Sequence, residues 1–149
     1  MDVLVFELDR ERFGVRAVDV IGIVRAAAVR KVPGAPAIVL GALDVRGTLA
    51  AVVDLRARFG LPPRAIGVDD HFVVMRTTAR TLALVTDRAE SLQSIDEASL
   101  VAPTAISQQH AAHVAGIVAT ADGLVIIADV ERFLTEGEEA SLSLALQSA

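Results

Sequence analysis

Three histidines, four spaced serines and two matched aspartates are the residues of this 149-residue chain whose types could do chemistry. His110 and His113 stand three apart in "SQQHAAHVAG" and would share one face of a helix. No Glu or Asp flanks them, and two imidazoles fall short of a zinc set. Ser91, Ser94, Ser99 and Ser107 have no neighbouring His with an orienting acid, and the chain holds no G-x-S-x-G elbow, H-E-x-x-H pair or Gly-rich phosphate loop. Asp54 and Asp129 each follow an apolar run and precede a short amphipathic stretch, "LRARFG" and "VERFLTEG". A carboxylate in that place accepts hydrogen bonds from the first free N–H groups of a helix, so both read as caps, with Gly60 and Gly137 closing the turns. The expectation is no catalysis, no metal and no cofactor.

One further residue invites a chemical reading. "GALDVRGTLAAVVDLRARFGL", residues 41–61, lifts Asp44-Val45-Arg46-Gly47 between two apolar runs. Gly47 permits a positive φ, and a guanidinium on a tight turn can donate in bidentate fashion to a partner's carboxylate or carbonyl. Solubility of an exposed turn explains the same Arg, and the local sequence leaves both readings open.

The composition narrows the partners. A net charge of −5, no Trp, no Tyr and five Phe leave little with which to neutralise phosphate or stack bases, so nucleic acid is not expected. Charged residues interrupt every apolar stretch before it reaches the roughly 18 residues of a membrane span. The start "MDVLVFELDRERFGV" carries Asp2 and Glu7 where a signal peptide would be basic, and there is no Cys. A cytoplasmic protein without direct membrane insertion is expected.

Positioning Arg46 falls to strands. Val- and Ile-rich runs recur at 3–8, 13–15, 18–24, 38–43, 49–53, 72–76, 82–86, 90–95, 114–119 and 124–128, bounded by Gly, Pro, Asp or Arg-Thr clusters. Hairpin signals lie at 9–12, 46–47, 77–80 and 121–123. The pattern predicts an all-β chain with short capped helices and a possible helix in the tail "EEASLSLALQS". Within 18–25, Val18, Val20, Gly22 and Val24 share one face, and Asp19, Ile21, Ile23 and Arg25 share the other, which is expected to look outward to a protein contact.

An internal repeat follows at an offset of 75: Gly41 meets Gly116, Val52 meets Ile127, Asp54 meets Asp129, Leu55 meets Val130 and Phe59 meets Leu134, with Gly47 and Gly123 one residue out of step. A single domain over 1–149, made of two lobes of one design, is expected. Loop 61–70, "LPPRAIGVDD", reads as the crossing between them.

Taken in order, "FELDRERFGV", "VDVIGIVR", "VPGAP", Gly41, "LDVRG", "VVDLRARFGL", "LALVTDRAESLQSI", "VAGIVATADG" and "LVIIADVERFL" resemble the CheW-like domain family from Phe6 to about Leu134. The resemblance implies two intertwined, five-stranded SH3-like barrels and a non-enzymatic adaptor that couples chemoreceptors to a CheA-type histidine kinase. It implies two partners, the cytoplasmic tip of a chemoreceptor, held in a groove between the lobes, and the regulatory domain of the kinase. Carried over to this chain, it places receptor contacts at Arg46, Asp44, Gly47, Ile23 and Val24, and kinase contacts at Gly41, Arg25, Pro103 and Ile106. The chain departs from the family pattern where Asp44 replaces Asn, Ile23 replaces an acidic residue, Ala51 replaces Pro, and segment 100–109 carries no charge. Ile23 and the uncharged segment 100–109 favour an alternative, a divergent adaptor of a gliding, pilus or developmental pathway that keeps one contact. A ligand-binding or enzymatic β-barrel is the reading from another class, and it would need an acid or base converging on the groove.

Overall fold

The computed structural model describes residues 1–102 and 112–147. Its strands are β1 (Asp2–Leu8), β2 (Glu11–Arg16), β3 (Val20–Arg25), β4 (Val39–Val45), β5 (Thr48–Val53), β6 (His71–Arg76), β7 (Thr81–Thr86), β8 (Arg88–Ser94), β9 (Val114–Thr120) and β10 (Gly123–Ala128). Each coincides with one of the ten apolar runs. Among the described residues two helices accompany them, α1 (Leu55–Arg58) and α2 (Glu136–Gln147), with short 3₁₀ turns at Ala17–Asp19, Glu97–Ser99 and Val130–Arg132. The mostly β fold expected from the sequence is the one observed.

The strands form two five-stranded sheets, in the orders β8-β1-β2-β10-β9 and β3-β6-β7-β5-β4. The second half of the chain repeats the first: a hairpin (β1–β2 or β6–β7), then three strands (β3–β5 or β8–β10), then a short helical turn. Each sheet joins the hairpin of one repeat to the three strands of the other. The joints are two parallel pairs, β2 with β10 and β5 with β7. Loop 61–70 therefore does not cross between lobes, as its composition suggested; it links α1 to β6 within one sheet. The chain changes sheets at Ala17–Asp19 and again at Asp87, between β7 and β8.

Alternation along each strand sorts side chains between a core shared by the sheets and the interior of a barrel. Leu4, Phe6 and Leu8 of β1 meet Val53, Val73, Met75, Leu82 and Leu84 of the other sheet in the shared core. Val3 and Val5 turn the other way, to Val118, Val125 and Ile127. Ala50, Val52, Phe72 and Ala83 fill the second barrel. Strands buried on both faces are why the runs read as continuous apolar stretches rather than clean alternations. Phe6, Phe13, Phe59 and Phe133 run through the shared core in successive ring contacts, with centroids 6.1, 4.9 and 6.2 Å apart.

The repeated glycines have a common cause. Isolated antiparallel bridges, Arg30 with Ala42 and Val101 with Ile117, tie the segment after β3 to β4 and the segment after β8 to β9. A Cβ on buried Gly41 would overlap the Arg30 carbonyl, and one on Gly116 would lie 3.1 Å from the Val101 carbonyl. Each glycine leaves room for the backbone that closes its barrel.

Three local expectations are corrected. Asp54 caps α1 through its side chain, which accepts from Ala57 N–H at 3.2 Å, and Gly60 follows at φ 68°. Asp129 makes no such bond; it lies 3.6 Å from Arg132, and only a 3₁₀ turn follows. Gly137 ends nothing, because it lies inside α2, whose start is set by Thr135 and Glu138. Glu138 N–H donates to Thr135 Oγ1, and Thr135 N–H donates to the Glu138 carboxylate. Val18, placed on the inward face of its run, is 77 % exposed because that run starts as a 3₁₀ turn and only becomes a strand at Val20.

Gly41→Ala should lower stability by about 2 kcal/mol, the usual scale for forcing extra volume into a packed site. Gly116→Ala, with a looser contact, should cost less. Urea unfolding of the two variants side by side measures the difference.

Candidate docking groove

The β4–β5 turn is built by Asp44, Arg46 and Gly47. Arg46 and Gly47 both take positive φ, 51° and 85°, the two-residue geometry that matches the twist of a hairpin. Asp44 holds it, accepting Gly47 N–H at 2.8 Å. The β1–β2 turn adopts the same geometry at Asp9 and Arg10, so positive φ on a charged residue does not by itself mark a site. What separates Arg46 is its place: its side chain, like that of Arg10, makes no hydrogen bond or ion pair among the described residues, but it lines a groove.

The groove has a volume of about 220 Å³. Ile21, Gly22, Ile23 and Val24 of β3 form one wall, and Val45, Arg46 and Thr48 form the other, with Val74 and Thr81 also lining it. All belong to one sheet, so the groove opens from the second barrel and not between the two. Ile21 and Ile23 are 58 % and 46 % exposed on the outward face of β3, where an alternating strand was expected to put them. Val24 turns inward against the filling of the barrel.

Of the expected site residues, the structure brings Arg46, Ile23 and Val24 together around the groove, and Asp44 and Gly47 into the turn that carries Arg46. Arg25 lies at the end of β3, its side chain largely exposed and 3.6 Å from Asp69. Gly41 is buried behind the Arg30 strap, so it offers no surface to a partner and its role is packing. Pro103 and Ile106 lie outside the described residues, as do Ser107 and His110. Val45, Val74 and Thr81 were not foreseen as lining residues, because strand pairing brings them there from across the sheet.

The electrostatic centre of the molecule lies elsewhere, at the Asp87 corner. Arg56 of α1, 9 % exposed, donates to both Asp87 oxygens at 3.0 and 2.8 Å and to the Pro62 carbonyl at 3.0 Å. Asp9 N–H, from the β1–β2 turn, donates to Asp87 at 2.9 Å, and Arg64 bridges Asp87 and Asp70 at 2.6 and 2.9 Å. Burial alone would raise the Asp87 pKa, but the hydrogen bonds from Arg56, Asp9 N–H and Arg64 outweigh it and hold the carboxyl below its ordinary value. Glu138 behaves alike: burial opposes ionisation, while the Thr135 N–H and the Arg58 guanidinium, at 2.7 and 2.8 Å, bring its pKa down. Arg58 also reaches His113 Nε2 at 3.2 Å, whose Nδ1 lies 2.6 Å from the Arg132 carbonyl. His113 is thus buried among structural partners. Among the described residues, no group of three His, Asp or Glu could hold a metal ion, and no helix is long and apolar enough to cross a membrane.

Comparison with known proteins accounts for this arrangement. The CheW-like domain model matches residues 2–138. The chain belongs to the CheW-like domain family. It is 25 % identical to the chemotaxis protein CheW of Treponema pallidum over 138 residues, covering 89 % of this chain and 81 % of that protein. It is 22 % identical to the CheW of Klebsiella aerogenes, over 92 % of this chain and 83 % of that one. The crystal structure of the scaffolding protein TtCheW from Thermoanaerobacter tengcongensis superposes with a TM-score of 0.82 at 27 % identity, covering 92 % of this chain and 89 % of that one. The paired five-stranded sheets are therefore the SH3-like barrels of the CheW fold, and this chain is a chemotaxis adaptor of that family.

Asp87→Asn should cost about 2 kcal/mol at neutral pH, below the range for breaking a fully buried pair because Asp87 keeps some contact with water. Since its folded pKa is depressed, the Asp87 contribution is present above the unfolded carboxylate value near 4 and lost as pH falls through the lower folded value. Urea midpoints measured between pH 7 and pH 3 should fall less steeply for the variant than for the parent chain.

Proposed function

We propose that this chain couples chemoreceptors to a CheA-type histidine kinase without catalysing a reaction. The observation that carries the reading is the groove, which sets a free guanidinium beside exposed Ile21 and Ile23 in a family whose members are named as chemotaxis and scaffolding proteins. A chain with such a surface, and with its buried charges spent on internal pairs, has the makings of a docking module. Arg46, Asp44, Gly47, Ile23 and Val24 form the contact for the receptor's cytoplasmic tip. Arg25, with Pro103 and Ile106, faces the kinase regulatory domain. Holding two partners in one rigid scaffold raises their effective concentration for each other, and this is the mechanism of coupling. The working location is the cytoplasm, at membrane-associated receptor arrays.

Calorimetry of the purified chain with the regulatory domain of its own CheA-type kinase, and with a receptor-tip protein, tests the reading. Binding to both is expected. Arg46→Ala should leave unfolding within about 0.5 kcal/mol of the parent, because the exposed side chain makes no hydrogen bond or ion pair among the described residues, and weaken the receptor complex about tenfold. Binding to one partner alone would turn the reading toward the divergent adaptor, and binding to neither would overturn it.

A further inference from the structure

The repeat leaves one of its elements unmatched. In the second half of the chain, the turn Val130–Arg132 after β10 leads into α2, which lies on the outside of the second barrel. There Leu142 and Leu146 stand over Ala42, Leu49 and Ala51. Arg80 donates to Glu139 at 2.8 Å and to Ser143 at 2.7 Å, fastening the helix to the sheet. Glu139, Leu142 and Leu146 fall at i, i+3 and i+7, one face of a helix. In the first half, the positions 75 before α2 are 61–72, and they are spent on loop 61–70 and the start of β6. Leu61 still packs on the shared core, but Ile66 already lies against the filling of the second barrel. No described helix takes the place on the first barrel that α2 takes on the second.

The face at that place is apolar. Val101 pairs with Ile117, Ile117 with Ile126, Ile126 with Phe13, and Ala119 with Leu124, so these side chains share one side of the sheet. Phe13 belongs to the shared core, while Val118 and Val125 fill the barrel, which puts the set on the outside. Val101, Ala119 and Leu124 are exposed, and Ile117 and Ile126 are half-buried. The second barrel has Arg30, Asp44 and Leu49 at the places of Val101, Ala119 and Leu124, and buried Ala42 and Ala51 at those of Ile117 and Ile126. The barrel with a helix thus surrounds it with charges and small residues, and the barrel without one carries a continuous apolar bed. Contiguous exposed apolar surface marks a place of association.

The charge at the end of the bed is inverted as well. β5 pairs Ala51 with Leu82 as β10 pairs Ile126 with Phe13, so Arg80 and Glu11, two residues before each partner, are equivalent. Glu11 is exposed, and its carboxylate has no partner among the described residues. Asp122, on the β9–β10 turn, adds a second carboxylate at this end, 4.0 Å from Arg12. A second copy of the chain is a poor occupant, because its α2 would bring Glu139 against Glu11.

We propose that the outer face of β9 and β10 docks one amphipathic helix of a partner protein. The helix sets two apolar side chains, four residues apart, on Ile117, Leu124 and Ile126, and gives Glu11 a lysine or arginine from three residues before the first of them. The proposal goes beyond the adaptor reading and does not rest on it, since the groove that carries Arg46 belongs to the other barrel.

Two synthetic peptides of the α2 sequence Glu136–Gln147 test it, both with Glu136→Gln and Glu138→Gln, one keeping Glu139 and the other carrying Glu139→Arg. Each is cross-linked along its exposed side, because helices this short are marginal in water. Titration into the full chain is followed by NMR. The Glu139→Arg peptide should move the amide signals of Ile117, Leu124 and Ile126 and bind at least about tenfold more tightly than its counterpart. Glu11→Arg in the protein should reverse that preference. Leu124→Asp should abolish the shifts while leaving the urea midpoint unchanged; if this variant does not fold, the reversal by Glu11→Arg decides. No shift with either peptide, equal affinity for both, or shifts confined to Leu49 and Leu82, where a peptide would be displacing α2, overturns the proposal. Shifts at Ile117 and Leu124 that grow with the concentration of the free chain also overturn it, because a second copy would then be the occupant.

Discussion

The Asp87 corner is where the architecture is held. The chain leaves one barrel for the other at this residue, and its carboxylate gathers Arg56 from α1, Arg64 from the loop before β6 and the N–H of Asp9 from the opposite barrel. Its own N–H donates to the Glu7 carbonyl at 2.9 Å. One side chain thus ties both repeats, both barrels and the loop that joins the repeats. Arg56 is largely withdrawn from water and so depends on its partners: an unpaired Arg56 here would cost more than the pair contributes in isolation. This is a constraint on geometry more than a source of net stability. It fastens the β7–β8 junction to α1 and to the β1–β2 turn.

Exchange of hairpins makes each sheet depend on both repeats. Three strands from one repeat find their sheet only when the hairpin of the other pairs in parallel beside them, β10 on β2 and β5 on β7. Strand faces that would otherwise be wet become the shared core around Phe6, Phe13, Phe59 and Phe133. Such pairings are distant in sequence, and so local signals cannot reveal them. Loop 61–70 shows the limit: its Pro pair and acidic end mark a turn correctly, yet a turn within a sheet and a crossing between sheets have the same local chemistry. Strand positions, hairpin tips and the repeat were legible because alternation, turn residues and an offset of 75 are local or self-referring signals. The matched Gly41 and Gly116 were visible as a pair, but their reason, a carbonyl crossing each strand, needed the structure.

The candidate site was legible in part for the same reason. Arg46 could be placed on a turn by Gly47, and Ile23 on an outward face by alternation. That Val74 and Thr81 lie with them follows from pairing across β6 and β7, which no spacing in the sequence announces. Gly41, read as a contact by family resemblance, shows the opposite error: a residue can recur in a family for packing. Asp129, read as a cap by analogy with Asp54, shows that a repeat in sequence need not be a repeat in hydrogen bonding.

The two repeats finish their barrels differently, and the difference lies in a few side chains. Turns at equivalent places carry Arg46 in one barrel and Asp122 in the other, and the strands behind them carry Thr81 and Arg12. In the first barrel Arg12 bonds to Thr120 and Glu90 and lies 4.0 Å from Asp122, so the end of that barrel is stitched by its own charges. In the second, the cation sits on the turn and points to solvent, while the threonine behind it leaves a groove. Moving the guanidinium from the strand to the turn converts an internal contact into an external one. The backbone needs no change for this, because the shared core and the Asp87 corner hold both barrels whichever way the charge at their ends is spent. A duplicated fold of this kind can leave a guanidinium free at the end of one barrel while spending the equivalent charge on internal contacts in the other.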